Sequence, residues 1–276
     1  MSGTELPRKV AVVTGAAGGI GRALAFEFGR RGFAVAVSDV GEAALTKTVR
    51  DLTDAGVRTL DEVVDVADRD AVHAHAARVV DAFGRVDVVV NNAGVAMSAW
   101  ASSQRHEDLR WLVDVDFYGV VHGTEAFLPH LIASGDGYLA NISSVFGFVG
   151  VPKQSAYNAA KFAVRGYTEA LRQEVALQGH PVSVSCVHPG GIRTDIARSA
   201  RLGDGEDAAA TSALFDALAR TTPEQAARTI VAGLRRRKAR ILVGPDAYLF
   251  EAAHRVLGAG YQPLFTAVLR RTELGR

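Results

Sequence analysis

Seven short apolar runs, separated by longer stretches of helix-like periodicity, constrain this 276-residue chain more than any other feature. The runs fall at 10–13, 34–37, 61–66, 86–90, 138–142, 182–187 and 239–243. Strands that alternate with helices build a parallel sheet covered on both faces. The expectation is a single α/β domain, a doubly wound seven-stranded parallel sheet. Right-handed crossovers put the strand ends and their loops on one edge, where ligands bind. Thr14, Asp39, Asn91, Ser144 and Pro189 all follow such runs, so five loops converge on one site.

The first of these loops has a definite chemistry. The segment Lys9-Val-Ala-Val-Val-Thr-Gly-Ala-Ala-Gly-Gly-Ile-Gly21 reads as a buried strand, a glycine turn and the start of a helix. Gly15, Gly19 and Gly21 let the backbone approach a pyrophosphate, and the amides opening the helix meet its negative charge. Strand, turn and helix in that order are what a dinucleotide-binding Rossmann fold requires.

A second pattern concerns reactivity. Tyr157 and Lys161 stand four residues apart in Ser155-Ala-Tyr-Asn-Ala-Ala-Lys161. On a helix, positions i and i+4 share a face, so the ammonium sits beside the phenol. A free phenol titrates near ~10, and a fixed cation beside it favours the phenolate. Two or three units of such lowering, at about 1.4 kcal/mol each, bring Tyr157 close to a working acid or base.

Together these motifs resemble those of the short-chain dehydrogenase/reductase family, over about residues 8 to 195. Thr14-Gly-Ala-Ala-Gly-Gly-Ile-Gly21 is similar to the family's Thr-Gly-x-x-x-Gly-x-Gly turn, and Asn91-Asn-Ala-Gly94 to its Asn-Asn-Ala-Gly signature. Ser144 stands thirteen residues before Tyr157, the family's spacing, which favours it over Ser143. Pro189-Gly-Gly-Ile-Arg-Thr194 resembles the segment that borders the nicotinamide. The resemblance implies a nicotinamide cofactor held by Gly15, Gly19, Ile20, Gly21, Asn92, Ala93, Gly94, Pro189, Gly190, Ile192 and Thr194, with Tyr157 and Lys161. Asp65 and Val66 resemble the family's pair flanking the adenine. It further implies hydride transfer between nicotinamide C4 and a carbinol or carbonyl carbon. In that reading Tyr157 exchanges the hydroxyl proton, Ser144 hydrogen-bonds the substrate oxygen, and Lys161 holds the nicotinamide ribose. A homodimer or homotetramer is implied as well.

Asp39 lies at the end of the second run, about twenty residues beyond the motif glycines, where an acidic group binds the adenosine ribose hydroxyls. The same carboxylate repels a 2′-phosphate. No lysine or arginine stands at Ala16, Ala17 or Gly18, where NADP-preferring members of the family often carry one. NAD is expected in preference to NADP. The other reading of Asp39 is a cap on the helix beginning near Glu42.

One residue departs from the pattern. In Val113-Asp-Val-Asp-Phe-Tyr-Gly119 the family usually places asparagine where this chain has Asp116. That asparagine belongs to the family's catalytic tetrad and helps position a water that relays protons to the lysine. An ionised Asp116 near Lys161 stabilises the ammonium but offsets its field at Tyr157. The alternative is that the main-chain carbonyl does most of the work and aspartate is tolerated.

Composition narrows the remaining classes. The chain is 48% hydrophobic and 22% charged, ordinary for a globular protein with a substantial core, and its net charge of +1 gives no reason to expect nucleic acid. No apolar run approaches the ~18 residues of a membrane span, and the first nine residues lack a signal-peptide core, so a cytoplasmic location is expected. The single cysteine, Cys186, falls in an apolar run and reads as a buried inert thiol. His73 and His75 do not share a helix face, so no metal is expected. Residues 201–210 read as the segment nearest to a flexible insertion, within a substrate lid at about 194–222. A helical extension is expected at about 246–276.

The expected activity is an NAD-dependent interconversion of a small-molecule secondary alcohol and ketone. A cofactor-binding regulator of the same fold is the alternative, because fold does not fix function. A nucleotide-sugar epimerase or dehydratase is disfavoured, since that branch resembles longer chains. Phe146, Phe148, Val149 and Val151 between Ser144 and Tyr157, with Ile196, Leu202, Leu214 and Phe215 in the lid, point to a largely apolar substrate. Lys153, Arg193 and Arg198 are the cations close by.

Overall fold

Strands buried along their whole length can sit only between two layers of helix, and β1 (Val10–Thr14) is such a strand. The computed structural model describes residues 9–270. After β1 come α1 (Gly19–Arg30), β2 (Ala34–Asp39), α2 (Glu42–Asp54), β3 (Thr59–Val63), α3 (Arg69–Phe83), β4 (Val88–Asn91) and the short β5 (Met97–Ser98). Then follow α4 (His106–Val113), α5 (Gly119–Ala133), β6 (Gly137–Ile142), α6 (Ser155–Leu177), β7 (Val182–Pro189) and the short β8 (Arg201–Leu202). The chain continues through α7 (Ala208–Leu218), α8 (Pro223–Arg235), β9 (Arg240–Val243), α9 (Pro245–Leu257) and α10 (Tyr261–Leu269).

The main sheet has seven strands in the order β3-β2-β1-β4-β6-β7-β9, and every pairing in it is parallel. The chain moves outward from β1 to β3 and returns to β4 on the other side of β1. The ends of β1 and β4 therefore flank the crevice where the strand order reverses, the ligand position of a doubly wound Rossmann sheet. One helical layer buries Leu24, Phe28, Leu45, Leu52 and Ile230 from α1, α2 and α8. The opposite layer buries Val79, Phe127, Leu131 and Val175 from α3, α5 and α6. Each such side chain contributes about 1.5–3 kcal/mol by leaving water, so both faces clamp the sheet.

Two expectations are corrected by tertiary context. The third strand occupies Thr59–Val63 rather than 61–66. It is an edge strand, paired only to β2 and half-exposed, so its sequence is polar. Of the valines that mark the apolar run, only Val63 belongs to the strand, and it is exposed. Val64 and Val66 are buried in the following loop, where a Cβ on Gly119 would stand 2.6 Å from the Val66 side chain. Residues 201–210 are not a partnerless insertion either. β8 pairs in parallel with β5, and the Arg201 guanidinium lies 3.7 Å from the Trp111 ring centroid and 2.8 Å from the buried Asp108 carboxylate. The Asp207 side chain then caps α7 by accepting from the Ala209 and Ala210 amides.

Helices α4 and α5 are joined by a π-helical turn, Asp114–Tyr118, a widening that recurs at functional sites. The expected C-terminal extension consists of α9 and α10, and its residues 271–276 lie outside the described residues. Among the described residues no helix is long and apolar enough to cross a membrane. Cys186 is buried in β7, and burial pushes its thiol up to about 12, the inert state expected of it.

Candidate active site

The glycine turn is held from the neighbouring strand end. The Thr14 hydroxyl accepts from the amides of Asn92 and Ala93, both at 3.0 Å. The Asn92 side chain donates back to the carbonyls of Thr14 at 2.8 Å and Gly15 at 3.2 Å. No side chain fits at this junction. A Cβ on Gly15, which has φ 65°, would stand 2.7 Å from Ala93 Cα, and one on Gly21 would collide with the Gly15 carbonyl. Helix α1 opens at Gly18 without a side-chain cap, and no atom lies within 4 Å of a Cβ built there. Uncapped first-turn amides beside a bare backbone fit a pyrophosphate.

The other residues expected at the cofactor surround this turn. Asp39 Oδ2 accepts from the Ala17 amide at 2.9 Å, and Oδ1 accepts from the Gly41 amide at 2.9 Å. Gly41, not Asp39, is the N-cap of α2, so the capping alternative fails. A carboxylate accepts about four hydrogen bonds, which leaves Asp39 capacity for a ribose diol. Thr194, beyond the end of β7, packs over the turn, with its Cγ2 3.0 Å from a Cβ built on Gly19. Asp65 is exposed and accepts from the Ala67 amide at 2.9 Å, whereas Val66 is buried. Ile192 is buried and bridges to Thr221.

Helix α6 carries Tyr157 and Lys161 one turn apart, with the ammonium 5.4 Å from the Tyr157 ring centroid. Lys161 Nζ lies 3.0 Å from Asp116 Oδ2 and donates to the Ile142 carbonyl at 3.3 Å. Asp116 is 0% exposed, and its Oδ1 accepts from the Val95 amide at 2.7 Å. Burial pushes the Asp116 carboxyl up, against the pull of Lys161 and the Val95 amide. Oδ2 faces the Lys161 ammonium and Oδ1 the Val95 amide, an arrangement that favours the ion pair over two neutral groups. Gly94 passes beside it, with a built Cβ 3.4 Å from Asp116 Oδ1 and 3.5 Å from Lys161 Nζ.

Ser144 and Ser143 are separated by what holds each. The Ser144 hydroxyl accepts from the Phe146 amide at 3.1 Å and is within hydrogen-bonding reach of the Tyr157 phenol. The Ser143 hydroxyl instead donates to the Lys161 carbonyl at 2.8 Å, tying β6 to α6. The Ser144 carbonyl accepts from His188 Nδ1 at 2.9 Å, which fixes the proton on that nitrogen. Burial pushes His188 down to about 4, so this imidazole is neutral.

The electrostatics correct one expectation. Burial raises the Tyr157 phenol above its ordinary value; Lys161 and the Ser144 hydrogen bond oppose the rise, and Asp116 adds to it. Lys161 is raised as well, because Asp116 and Tyr157 outweigh the burial that disfavours its charge. The lowering expected from Lys161 is therefore present but outweighed, chiefly by burial of the phenol, with Asp116 adding to the rise.

Of the loop aromatics, only Phe146 reaches the reacting group, edge-on to Tyr157 at 6.1 Å. Phe148 is 1% exposed and stacks on His188 at 4.1 Å, which corrects its expected place in a pocket lining. The nearby cations are all engaged. Lys153 pairs with Glu206 at 3.1 Å, Arg198 with Asp195 and Asp216, and Arg193 donates to the Ala219 carbonyl at 3.1 Å.

The model of the family described as short chain dehydrogenase matches residues 9–205. The chain belongs to the short-chain dehydrogenase/reductase family. It is an oxidoreductase of that family and binds a nicotinamide cofactor. It is 52% identical over 260 residues to SadH of Mycobacterium tuberculosis, a match covering 94% of each chain. It is 35% identical over 190 residues to the 3-oxoacyl-acyl-carrier-protein reductase FabG of Thermotoga maritima, covering 69% of this chain and 76% of that one. The crystal structure of a short-chain dehydrogenase/reductase from Burkholderia phymatum in complex with NAD matches with a TM-score of 0.84 at 30% identity, covering 91% and 94% of the two chains.

Sequence reasoning missed the His188 hydrogen bond and two contacts from the C-terminal helices, Asp246 to Gly191 and Tyr261 to Gly150. Pro245-Asp246 after Gly244 signals a helix start, but nothing local says where that helix docks.

Asp116→Asn removes the negative charge that adds to the burial-driven rise of the Tyr157 phenol, so the phenol should titrate lower. Phenolate absorbance against pH, read as the difference between proteins with Tyr157 and with Tyr157→Phe, measures this. The basic limb of the oxidative pH–rate profile should move the same way. If the Asp116→Asn protein titrates like the unsubstituted one, the coupling between Asp116 and Tyr157 is rejected.

Proposed function

We propose that the protein is an NAD-dependent oxidoreductase that interconverts a secondary alcohol and a ketone on an uncharged, largely apolar substrate. The observation that carries this reading is the meeting of Ser144, Tyr157 and the buried Lys161 beside a glycine turn with uncapped helix amides. A nicotinamide bound at the turn supplies or accepts the hydride. Gly15, Gly19, Ile20, Gly21, Asn92, Ala93, Gly94, Pro189, Gly190, Ile192 and Thr194 would hold it, with Asp39 at the adenosine ribose and Asp65 and Val66 near the adenine.

The chain's own residues manage the proton. In reduction the Ser144 hydroxyl donates a hydrogen bond to the carbonyl oxygen, and the Tyr157 phenol gives that oxygen its proton as the carbonyl carbon is reduced. In oxidation the phenolate takes the hydroxyl proton back. Lys161 stabilises the phenolate, and Asp116 keeps Lys161 charged and in place. The reductase FabG, named for a 3-oxoacyl substrate, supports chemistry at a keto group.

NAD over NADP rests on Asp39 and on the lack of a free cation near it. Arg22, in the first turn of α1, is paired with Asp51 at 2.7 Å. NAD should bind more tightly than NADP by about tenfold or more, or 1.4 kcal/mol. Calorimetric titration with both cofactors decides it, and equal or reversed affinity rejects the assignment.

Tyr157→Phe keeps the ring but removes the proton carrier, so turnover should fall by about 10²-fold or more while cofactor binding survives. Near-normal turnover would remove Tyr157 from the acid–base role. The apolar substrate class rests on the engaged cations and on Phe146 at the edge of Tyr157. Across alcohols of increasing chain length kcat/KM should rise, because each buried methylene is worth about 0.8 kcal/mol. No rise, or a preference for polyols, would reject an apolar pocket.

A further inference from the structure

The C-terminal helices touch the two loops that border Tyr157, and they do so at three places. In the first turn of α9, Asp246 Oδ2 accepts from the Gly191 amide at 2.6 Å. Its carboxyl group lies so close to Gly190 that a Cβ there would collide with it. Further along α9, the His254 ring faces Phe148 at 6.3 Å, and Phe148 in turn stacks on His188, which donates to the Ser144 carbonyl. At the start of α10, the Tyr261 hydroxyl accepts from the Gly150 amide at 2.6 Å.

Two of these contacts end on the backbone of site loops rather than on the core. Gly150 is exposed, and among the described residues its amide has no other protein acceptor. The same loop carries Lys153 at φ 64°, a conformation disfavoured for a residue with a side chain, so it needs external ties to keep its shape. The Gly191 amide is likewise claimed by a carboxylate 55 positions away in the chain.

We infer that α9 and the start of α10 form a strap that sets the geometry of the site, with Tyr261 and Asp246 as positioning residues. Tyr261 holds the loop between Ser144 and Tyr157, which faces the substrate. Asp246 holds the loop that follows β7, which borders the cofactor. Neither touches the reacting atoms. The assignment of those loops rests on the function proposed above, whereas the anchoring itself does not.

The experiment uses the full chain with Tyr261→Phe, Asp246→Ala and Asp246→Asn, each checked for an unchanged unfolding midpoint within the error of a lost surface hydrogen bond. Amide exchange is read by NMR without cofactor or substrate. Tyr261→Phe should speed exchange at Gly150 by about fivefold or more, the size of one lost hydrogen bond. Asp246→Ala should do the same at Gly191, and Asp246→Asn, which keeps an acceptor, should restore most of the protection. With an alcohol or ketone that turns over, Tyr261→Phe should raise KM by about fivefold and leave kcat and the cofactor Kd within about twofold. Asp246→Ala should instead weaken the cofactor Kd by about fivefold.

Unchanged exchange at Gly150 and Gly191 overturns the strap. Faster exchange with unchanged KM and cofactor Kd overturns its role in the site and leaves a purely structural tie. Because the exchange measurement needs no ligand, its failure is separate from failure of the proposed function, which the Tyr157→Phe and cofactor titrations read.

Discussion

An ammonium group buried to 4% exposure dictates the arrangement around it. Lys161 has to be compensated inside the protein, because an unpaired buried charge costs several kcal/mol. Asp116 supplies the compensation at 3.0 Å, and three separate segments make room for it. The π-helical turn between α4 and α5 carries the carboxylate, the Val95 amide satisfies its second oxygen, and Gly94 passes without a side chain. Removing one partner of such a pair costs about 3–5 kcal/mol, whereas an amide in place of the carboxylate keeps the acceptor for Val95. Asparagine at this position therefore keeps the packing and the Val95 hydrogen bond but leaves Lys161 without its counter-charge, so it both costs stability and changes the field at Tyr157.

The same economy of space governs the glycine turn. Thr14 and Asn92 exchange hydrogen bonds between the ends of β1 and β4, which brings the two backbones into contact at Gly15 and Ala93. That contact closes the crevice from behind and leaves the first amides of α1 facing outward. Asp39 adds a third tie, from the end of β2 to Ala17. The turn is thus shaped by its neighbours, and a ligand entering it meets a preformed backbone.

What is legible in the sequence is what local physics determines. Glycines at positions of close approach, a Tyr and Lys one turn apart, and runs of buried strand each carry their cause within a few residues, and in the structure Gly15 lies against Gly21 and Tyr157 beside Lys161. The third strand escapes such reading because an edge strand is half-wet and reads Thr-Leu-Asp-Glu-Val, while the apolar signal comes from Val64 and Val66, which pack in a loop. Residues 201–210 and the C-terminal helices depend on partners about a hundred positions away, Met97 and Ser98 in one case and Gly150 in the other. Nothing within either segment encodes that distance. The sign of the Tyr157 shift is hidden for a related reason: spacing places the lysine and the sequence points to Asp116, but the burial that raises the phenol most comes from other elements.

The segment around β8 is held to the body by two kinds of tie. One is backbone pairing with β5, and the other is ionic: Arg201 to the buried Asp108, which also holds Arg105, and Lys153 to Glu206 with both side chains largely covered. When such contacts open, water takes up the exposed charges and offsets much of the lost attraction. An apolar contact of the same area has no such compensation, because its opening exposes surface that water does not favour. The core layers are joined by apolar contacts and this segment by ion pairs as well as strand pairing, so its attachment is the more sensitive to salt. The same ion pairs engage Lys153 and Arg201, so neither cation is free to meet an anionic substrate.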